Sequence, residues 1–246
     1  MNIAQYLDST YLKTPEQAGI SEEQTLEKVM ELTNEAIQHN FFAVMIRPQY
    51  VAQVKSYLDA KNAHIAVGTV IGFHEGTAST EAKMKEAQQA LTDGADELDF
   101  VVNFEAYKRG EIDAVKKEFV EGSALALNAG KVVKWIIETA ALTPDQIADI
   151  TSKIASWAEE SFEESALPNI FVKSSTGFFK TENGEPNGAT FEGIKMMLDN
   201  AGTLSVKASG GVKTPEDAKK MIEMGVKRIG TSSALALAKN EEVQGY

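Results

Sequence analysis

Short apolar runs alternate with longer amphipathic stretches from one end of the chain to the other. The runs read as strands at about 5–8, 43–46, 66–71, 97–102, 131–138, 169–173, 204–207 and 227–230. Between them, helical spacing runs over 22–39, 50–61, 80–93, 113–128, 144–160, 191–200 and 215–224. In the first of these, Val29, Leu32, Ala36 and Ile37 recur on one helical face. Gly94 and Gly225 stand where helices end and strands follow at once. Thr143-Pro144 and Thr214-Pro215 each set a capping hydroxyl before a proline suited to the first helical position. Eight strands, each followed by a helix or short turn, predict an α/β fold: one (β/α)8 TIM barrel over residues 1–246. The competitor, a doubly wound open sheet, usually carries a glycine-rich turn after its first strand. Here that turn is Leu7-Asp8-Ser9-Thr10.

Four charges interrupt or close four consecutive apolar runs. Asp99 lies within Leu98-Asp99-Phe100-Val101, and Lys134 within Val132-Val133-Lys134-Trp135-Ile136. Lys173 ends Ile170-Phe171-Val172-Lys173, and Lys207 ends Leu204-Ser205-Val206-Lys207. Barrel strands point alternate side chains inward. If Lys134 faces in, so do Ile136 and Glu138, while Val133, Trp135 and Ile137 face the helices. If Asp99 faces in, Val101 and Asn103 follow it. That register keeps the apolar majority outside and gathers the charges in the barrel; the other would bury four ions against helices. A single strand-end lysine is usually a snorkelling surface residue. Four inward charges on neighbouring strands point to a site.

Lys173 and Lys207 fall on adjacent strands, so their ammonium groups should approach within about 5–6 Å. An unperturbed lysine is neutral in only about one molecule in 2,500 at pH 7, and bringing its pKa to about 7 takes roughly 4.6 kcal/mol. A like charge at about 5.5 Å supplies roughly 3 kcal/mol at an effective dielectric near 20, and desolvation can supply the rest. A neutral amine in such a place suits Schiff-base formation with a carbonyl. Asp99 and Lys134 are placed to relay protons.

The turns after strands six to eight are rich in glycine and hydroxyls: Ser174-Ser175-Thr176-Gly177, Ala208-Ser209-Gly210-Gly211 and Gly230-Thr231-Ser232-Ser233. Backbone amides there can approach an anion, and barrels commonly hold phosphate after strands seven and eight. His39, His64 and His74 share no metal-ligand spacing, and no zinc or magnesium site or other cofactor is called for.

Composition narrows the rest. A net charge of −12 argues against general affinity for nucleic acid or anionic membrane, though not against a phosphorylated small molecule. With no cysteine, thiolate catalysis, disulfides and zinc–thiolate clusters drop out. No secretory pattern and no apolar stretch of membrane-spanning length is visible, so the expectation is a cytoplasmic protein. A homo-oligomer is left open.

At the motifs around Asp99, Lys134, Lys173, Lys207 and Gly230-Thr231-Ser232-Ser233 the chain resembles the deoxyribose-phosphate aldolase family, class I aldolases with a (β/α)8 fold. The likeness runs nearly end to end. It implies that Lys173 forms the Schiff base, that Asp99 and Lys207 donate and accept protons, and that Lys134 joins the relay. It further implies that Thr176, Gly177, Gly210, Gly211, Gly230, Ser232 and Ser233 hold the substrate phosphate, and that the terminal Tyr246 reaches the site. The expected reaction is reversible cleavage of 2-deoxy-D-ribose 5-phosphate to glyceraldehyde 3-phosphate and acetaldehyde. Two alternatives stand beside it: a Schiff-base aldolase using another aldehyde, and an isomerase barrel acting on sugar phosphates by enolisation. The chain departs from the family pattern in a longer, polar 179–188 segment and in Lys213, where arginine is common.

Overall fold

The computed structural model describes residues 2–182 and 184–241. Eight parallel strands close into a barrel in chain order, with β1 hydrogen-bonded to β8. The strands are β1 Leu7–Tyr11, β2 Ala43–Ile46, β3 Ala66–Ile71, β4 Glu97–Val101, β5 Val132–Ile136, β6 Ile170–Lys173, β7 Ser205–Ser209 and β8 Arg228–Thr231. The helices are α1 Pro15–Ala18, α2 Glu22–His39, α3 Val51–Ala60, α4 Thr80–Thr92, α5 Phe104–Lys108, α6 Ile112–Asn128, α7 Pro144–Ser161, α8 Phe191–Asn200, α9 Pro215–Met224 and α10 Ala234–Ala238.

Strands two and three lie where the apolar runs put them. The first is displaced: Ile3–Tyr6 forms a 3-10 turn in which the Ala4 amide donates to the Asn2 side chain, and the strand begins only at Leu7. Short α1, α5 and α10 have too few turns to show a periodic apolar face, so nothing in the hydrophobic pattern marks them. Local chemistry sets the longer helices. Ser21 and Thr143 each form a reciprocal capping box with the glutamine three residues on, and Thr214 takes the Asp217 amide.

The inward–outward register follows the expected parity. Leu98, Phe100, Val133, Trp135, Ile137, Val172, Val206 and Ala208 face the helices and join the main apolar core. Trp135 is its largest fully buried member: it stacks on Phe100 at 4.8 Å and donates its ring N–H to Ser123 at 2.9 Å. Helix α6 comes close enough for that bond only because position 122 is glycine. A Cβ on Gly122 would lie 2.9 Å from the Trp135 ring. Inside the barrel the charged residues form the lower layers. Above them Val101 and Ile136 pack with Phe104, and Met45 packs with Leu12 and Val70.

Candidate active site

Asp99 is the hub of the interior. Register sets it opposite Lys134 on β5, and sets Lys173 opposite Lys207 across β6 and β7. Asp99 Oδ1 accepts from Lys134 Nζ at 2.7 Å, and Oδ2 accepts from both Lys173 Nζ at 2.8 Å and Lys207 Nζ at 3.1 Å. Asp99, Lys134 and Lys207 are wholly buried and Lys173 is 2% exposed, so these contacts are barely screened. All four charges singled out in the sequence meet in one cluster.

Environment divides their protonation. Burial works against the Asp99 carboxylate, but Lys134, Lys173 and Lys207 outweigh it and hold Asp99 well below its ordinary range. Burial pushes Lys173 down to about 8; Asp99 works in the opposite direction and Lys207 adds to the fall. From sequence alone the neighbouring lysine is expected to take the larger share of that fall. In the folded barrel a shared counter-ion lies between the two ammonium groups, and desolvation dominates instead. Burial also opposes the charge on Lys134, but Asp99 and Glu97 together hold it up.

Three further charges lie below this level and were not singled out from sequence. Asp8 on β1, Glu97 on β4 and Arg228 on β8 are all buried and face inward. The alternation rule could have found Glu97, which stands two residues before Asp99 on the same strand. Arg228 likewise shares parity with Gly230.

The turns above the cluster are locked together. Glu138, two residues beyond β5 with a left-handed backbone (φ 56°), accepts from Ser175 Oγ at 3.0 Å and from the Thr176 amide at 3.2 Å. It also accepts from the Thr176 hydroxyl. Burial pushes the Glu138 carboxyl up, against those donors and Lys173. Thr176 therefore shapes the turn after Lys173 by bonding to Glu138 with both its amide and its hydroxyl. Gly177, Gly210 and Gly211 all have positive φ. Gly188 lies directly on Gly210, where a Cβ would come within 2.4 Å of the Gly210 carbonyl carbon. Gly230 lies within β8, inside the strand that the apolar run at 227–230 predicts, and the turn proper begins at Ser232. A Cβ on Gly230 would meet Lys207 Cε at 3.1 Å, so this glycine makes room for the lysine stem. Ser232 is exposed at the start of the turn beyond β8. Ser233 precedes α10 without a side-chain cap, its amide donating to Thr231 Oγ1 at 3.0 Å. Tyr246 lies outside the described residues.

A cavity of about 740 Å³ opens at the barrel mouth between Lys13, His74, Phe104, Phe178, Phe179 and Lys180. Phe178 lines it and also packs with Met45, Leu12 and Val70, while Phe179 packs beside Val101 and Ile136. Met45 is wholly buried beneath this aromatic layer. His74 also lines the cavity and stacks on Phe178 at 5.6 Å. The polar segment after Gly177 thus sends its first residues into the mouth. Asn187, at its far end, returns to donate to the Gly177 carbonyl at 3.1 Å. Among the described residues no group of acidic or histidine side chains is arranged to hold a metal, and no helix is long and apolar enough to cross a membrane.

A closed (β/α)8 barrel with a lysine pair on one buried carboxylate defines the class: a barrel enzyme with its charged site inside the barrel. The family model for DeoC/LacD family aldolase matches residues 3–240, and the chain belongs to that family. A deoxyribose-phosphate aldolase of Thermococcus gammatolerans is 41% identical over 98% of this chain and 99% of its own length. One from Staphylococcus saprophyticus is 39% identical over 98% of each chain. Among solved structures, a tetrameric deoxyribose phosphate aldolase from Aeropyrum pernix superposes with a TM-score of 0.75 at 29% identity, over 96% of this chain and 89% of that one.

Proposed function

We propose that this barrel reversibly cleaves 2-deoxy-D-ribose 5-phosphate to D-glyceraldehyde 3-phosphate and acetaldehyde through a Schiff base on Lys173. The observation that carries the reading is Lys173 itself: a buried amine at the top of the charge cluster, held down to about 8. At that value about a tenth of the molecules carry the free amine at pH 7, roughly two hundred times more than for an ordinary lysine.

The free amine attacks the C1 aldehyde of the sugar, and loss of water leaves an iminium. The C3 hydroxyl then gives up its proton, and the C2–C3 bond breaks with its electron pair entering the iminium as an enamine. The bond is C2–C3 and not C3–C4, because only a bond to the carbon beside the iminium can deliver its electrons there. Glyceraldehyde 3-phosphate leaves, C2 is reprotonated, and water releases acetaldehyde and restores Lys173. Asp99 is the proton acceptor and donor in this scheme, with Lys207 and Lys134 on its two oxygens to return protons to it. The phosphate lies at the turns of Gly177, Gly210, Gly211, Ser232 and Ser233, where positive-φ glycines expose amides and α9 begins nearby. The identity of the named relatives supports this substrate. Residues 1–246 are taken as one barrel domain, and a homo-oligomer is consistent with the tetrameric Aeropyrum protein.

Borohydride reduction in the presence of acetaldehyde, followed by peptide mass spectrometry, tests the reading. A stable two-carbon adduct on Lys173 is expected. No adduct, with enolisation of a sugar phosphate intact, would replace the aldolase by an isomerase.

A further inference from the structure

The proposed reaction engages the upper part of the interior, and a second layer of charges lies buried beneath it. Arg228 lies there with its guanidinium over the Phe42 ring at 3.6 Å. Its Nε donates to Asp8 Oδ1 at 2.7 Å, and its Nη1 and Nη2 donate to the two oxygens of Glu97 at 2.9 and 3.0 Å. Asp8 Oδ2 pairs in turn with Lys207 at 2.5 Å, and Glu97 Oε2 with Lys134 at 2.6 Å.

Followed around, these contacts close. Asp99, Lys134, Glu97, Arg228, Asp8 and Lys207 form a ring in which carboxylate and cation alternate and return to Asp99. The ring is neutral. Lys173 is attached to it through Asp99 and is the surplus positive charge of the buried cluster. Among the described residues, the further ionisable group facing Lys173 is Glu138, beyond the end of β5, which gives its oxygens to Ser175 and Thr176. In a low-dielectric interior an unbalanced charge is disfavoured, and here the unbalanced member can discharge by losing a proton.

We propose that Arg228 and Glu97 are positioning residues for the reaction: they complete the neutral ring beneath Asp99, hold Lys207 and Lys134 against it, and leave Lys173 as the surplus cation, which fixes the pH at which it becomes a nucleophile. This rests on the Schiff-base reading above. Stability alone does not account for such a floor, because buried ion networks of this kind are commonly matched or bettered by well-packed apolar side chains.

The charge count makes the two residues act with opposite signs. Glu97→Gln removes a negative charge, makes the surplus larger and favours the free amine. Arg228→Gln removes a positive charge, cancels the surplus and favours the ammonium. The experiment measures the pH dependence of kcat/KM for cleavage of 2-deoxyribose 5-phosphate in wild type, each single variant, the Glu97→Gln/Arg228→Gln double variant and Arg228→Lys. The same proteins are labelled with acetaldehyde and borohydride. The acid limb should move down by roughly one pH unit in Glu97→Gln and up by about as much in Arg228→Gln. It should return towards wild type in the double variant and stay near wild type in Arg228→Lys. A floor that is only structural lowers kcat in both single variants without opposed shifts, and that result overturns the proposal. Should a single variant fail to fold, the double variant decides: a wild-type limb supports the ring, and a displaced one overturns it. Absence of a Lys173 adduct in wild type would instead remove the Schiff-base reading itself.

Discussion

Lys173 Nζ and Lys207 Nζ reach the same oxygen, Oδ2 of Asp99, at 2.8 and 3.1 Å. Two cations on adjacent strands thus share a counter-ion, which lets both stay buried while neither holds the carboxylate alone. Burial then prevails at Lys173, whose amine is pushed down to about 8.

Replacing Lys173 by arginine should abolish turnover and leave the fold intact. The guanidinium preserves a charge beside Asp99 but is never deprotonated enough to attack a carbonyl. Circular dichroism should match wild type while aldol cleavage falls by a factor of about 10⁴ or more. Appreciable cleavage by this variant is incompatible with a Schiff base at this position.

Lys207→Leu should move the acid limb of the pH–rate profile upward. The substitution removes a cation that favours the free amine of Lys173 and leaves Asp99 Oδ2 to Lys173 alone, so both changes raise Lys173 from about 8. For every pH unit the limb climbs, the free-amine fraction at pH 7 should fall roughly tenfold. A profile whose limb stays put would show that the two lysines do not sense each other.

The glycine turns give a substrate-dependent prediction. Gly211 has a φ of 74°, which a β-branched side chain tolerates poorly, and Ser232 is exposed at the rim. Gly211→Val and Ser232→Glu should each raise KM for the phosphorylated sugar by about tenfold or more, through strain or charge repulsion. KM for unphosphorylated deoxyribose should change much less. Equal losses on both sugars would place the phosphate elsewhere.

Behind the barrel wall, Lys83 of α4 reaches Glu118 of α6 at 2.8 Å and donates to the Val101 carbonyl at 2.7 Å, with both side chains buried. Burial drives Lys83 down and Glu118 up despite their attraction. Lys83→Met should strand Glu118 and cost about 3–5 kcal/mol near neutral pH, read as a fall in Tm. A carboxyl raised in the fold destabilises increasingly as pH rises through its folded value. The loss should therefore shrink as pH falls from that folded value and be gone below pH ~4.3, where the unfolded carboxyl is also protonated. Lys83→Met/Glu118→Leu should recover most of the Tm; no recovery would mean that the Val101 carbonyl bond carries the effect.

The barrel and its inward charges were legible in the sequence because both depend on short-range periodicity. A strand alternates every residue, so Val133-Lys134-Trp135 can take only one register without burying Trp135 in the interior and Lys134 among helices. Likewise Thr143 before Pro144 fixes the start of α7 within a few residues of chain. What no local pattern carries is the level at which distant strands meet. That Arg228 lies against Asp8, 220 residues away in sequence, and against Glu97 depends on barrel closure and stagger. Only that closure sets Lys207 on Asp8 and Asp99 together, and only the packed interior removes the water that would otherwise keep Lys173 charged. The chain itself thus determined which side chains enter the barrel, since that follows from neighbours along a strand. Tertiary structure decided which of them share a counter-ion and which is left as the surplus charge, because partner, distance and dielectric exist only once the barrel is closed.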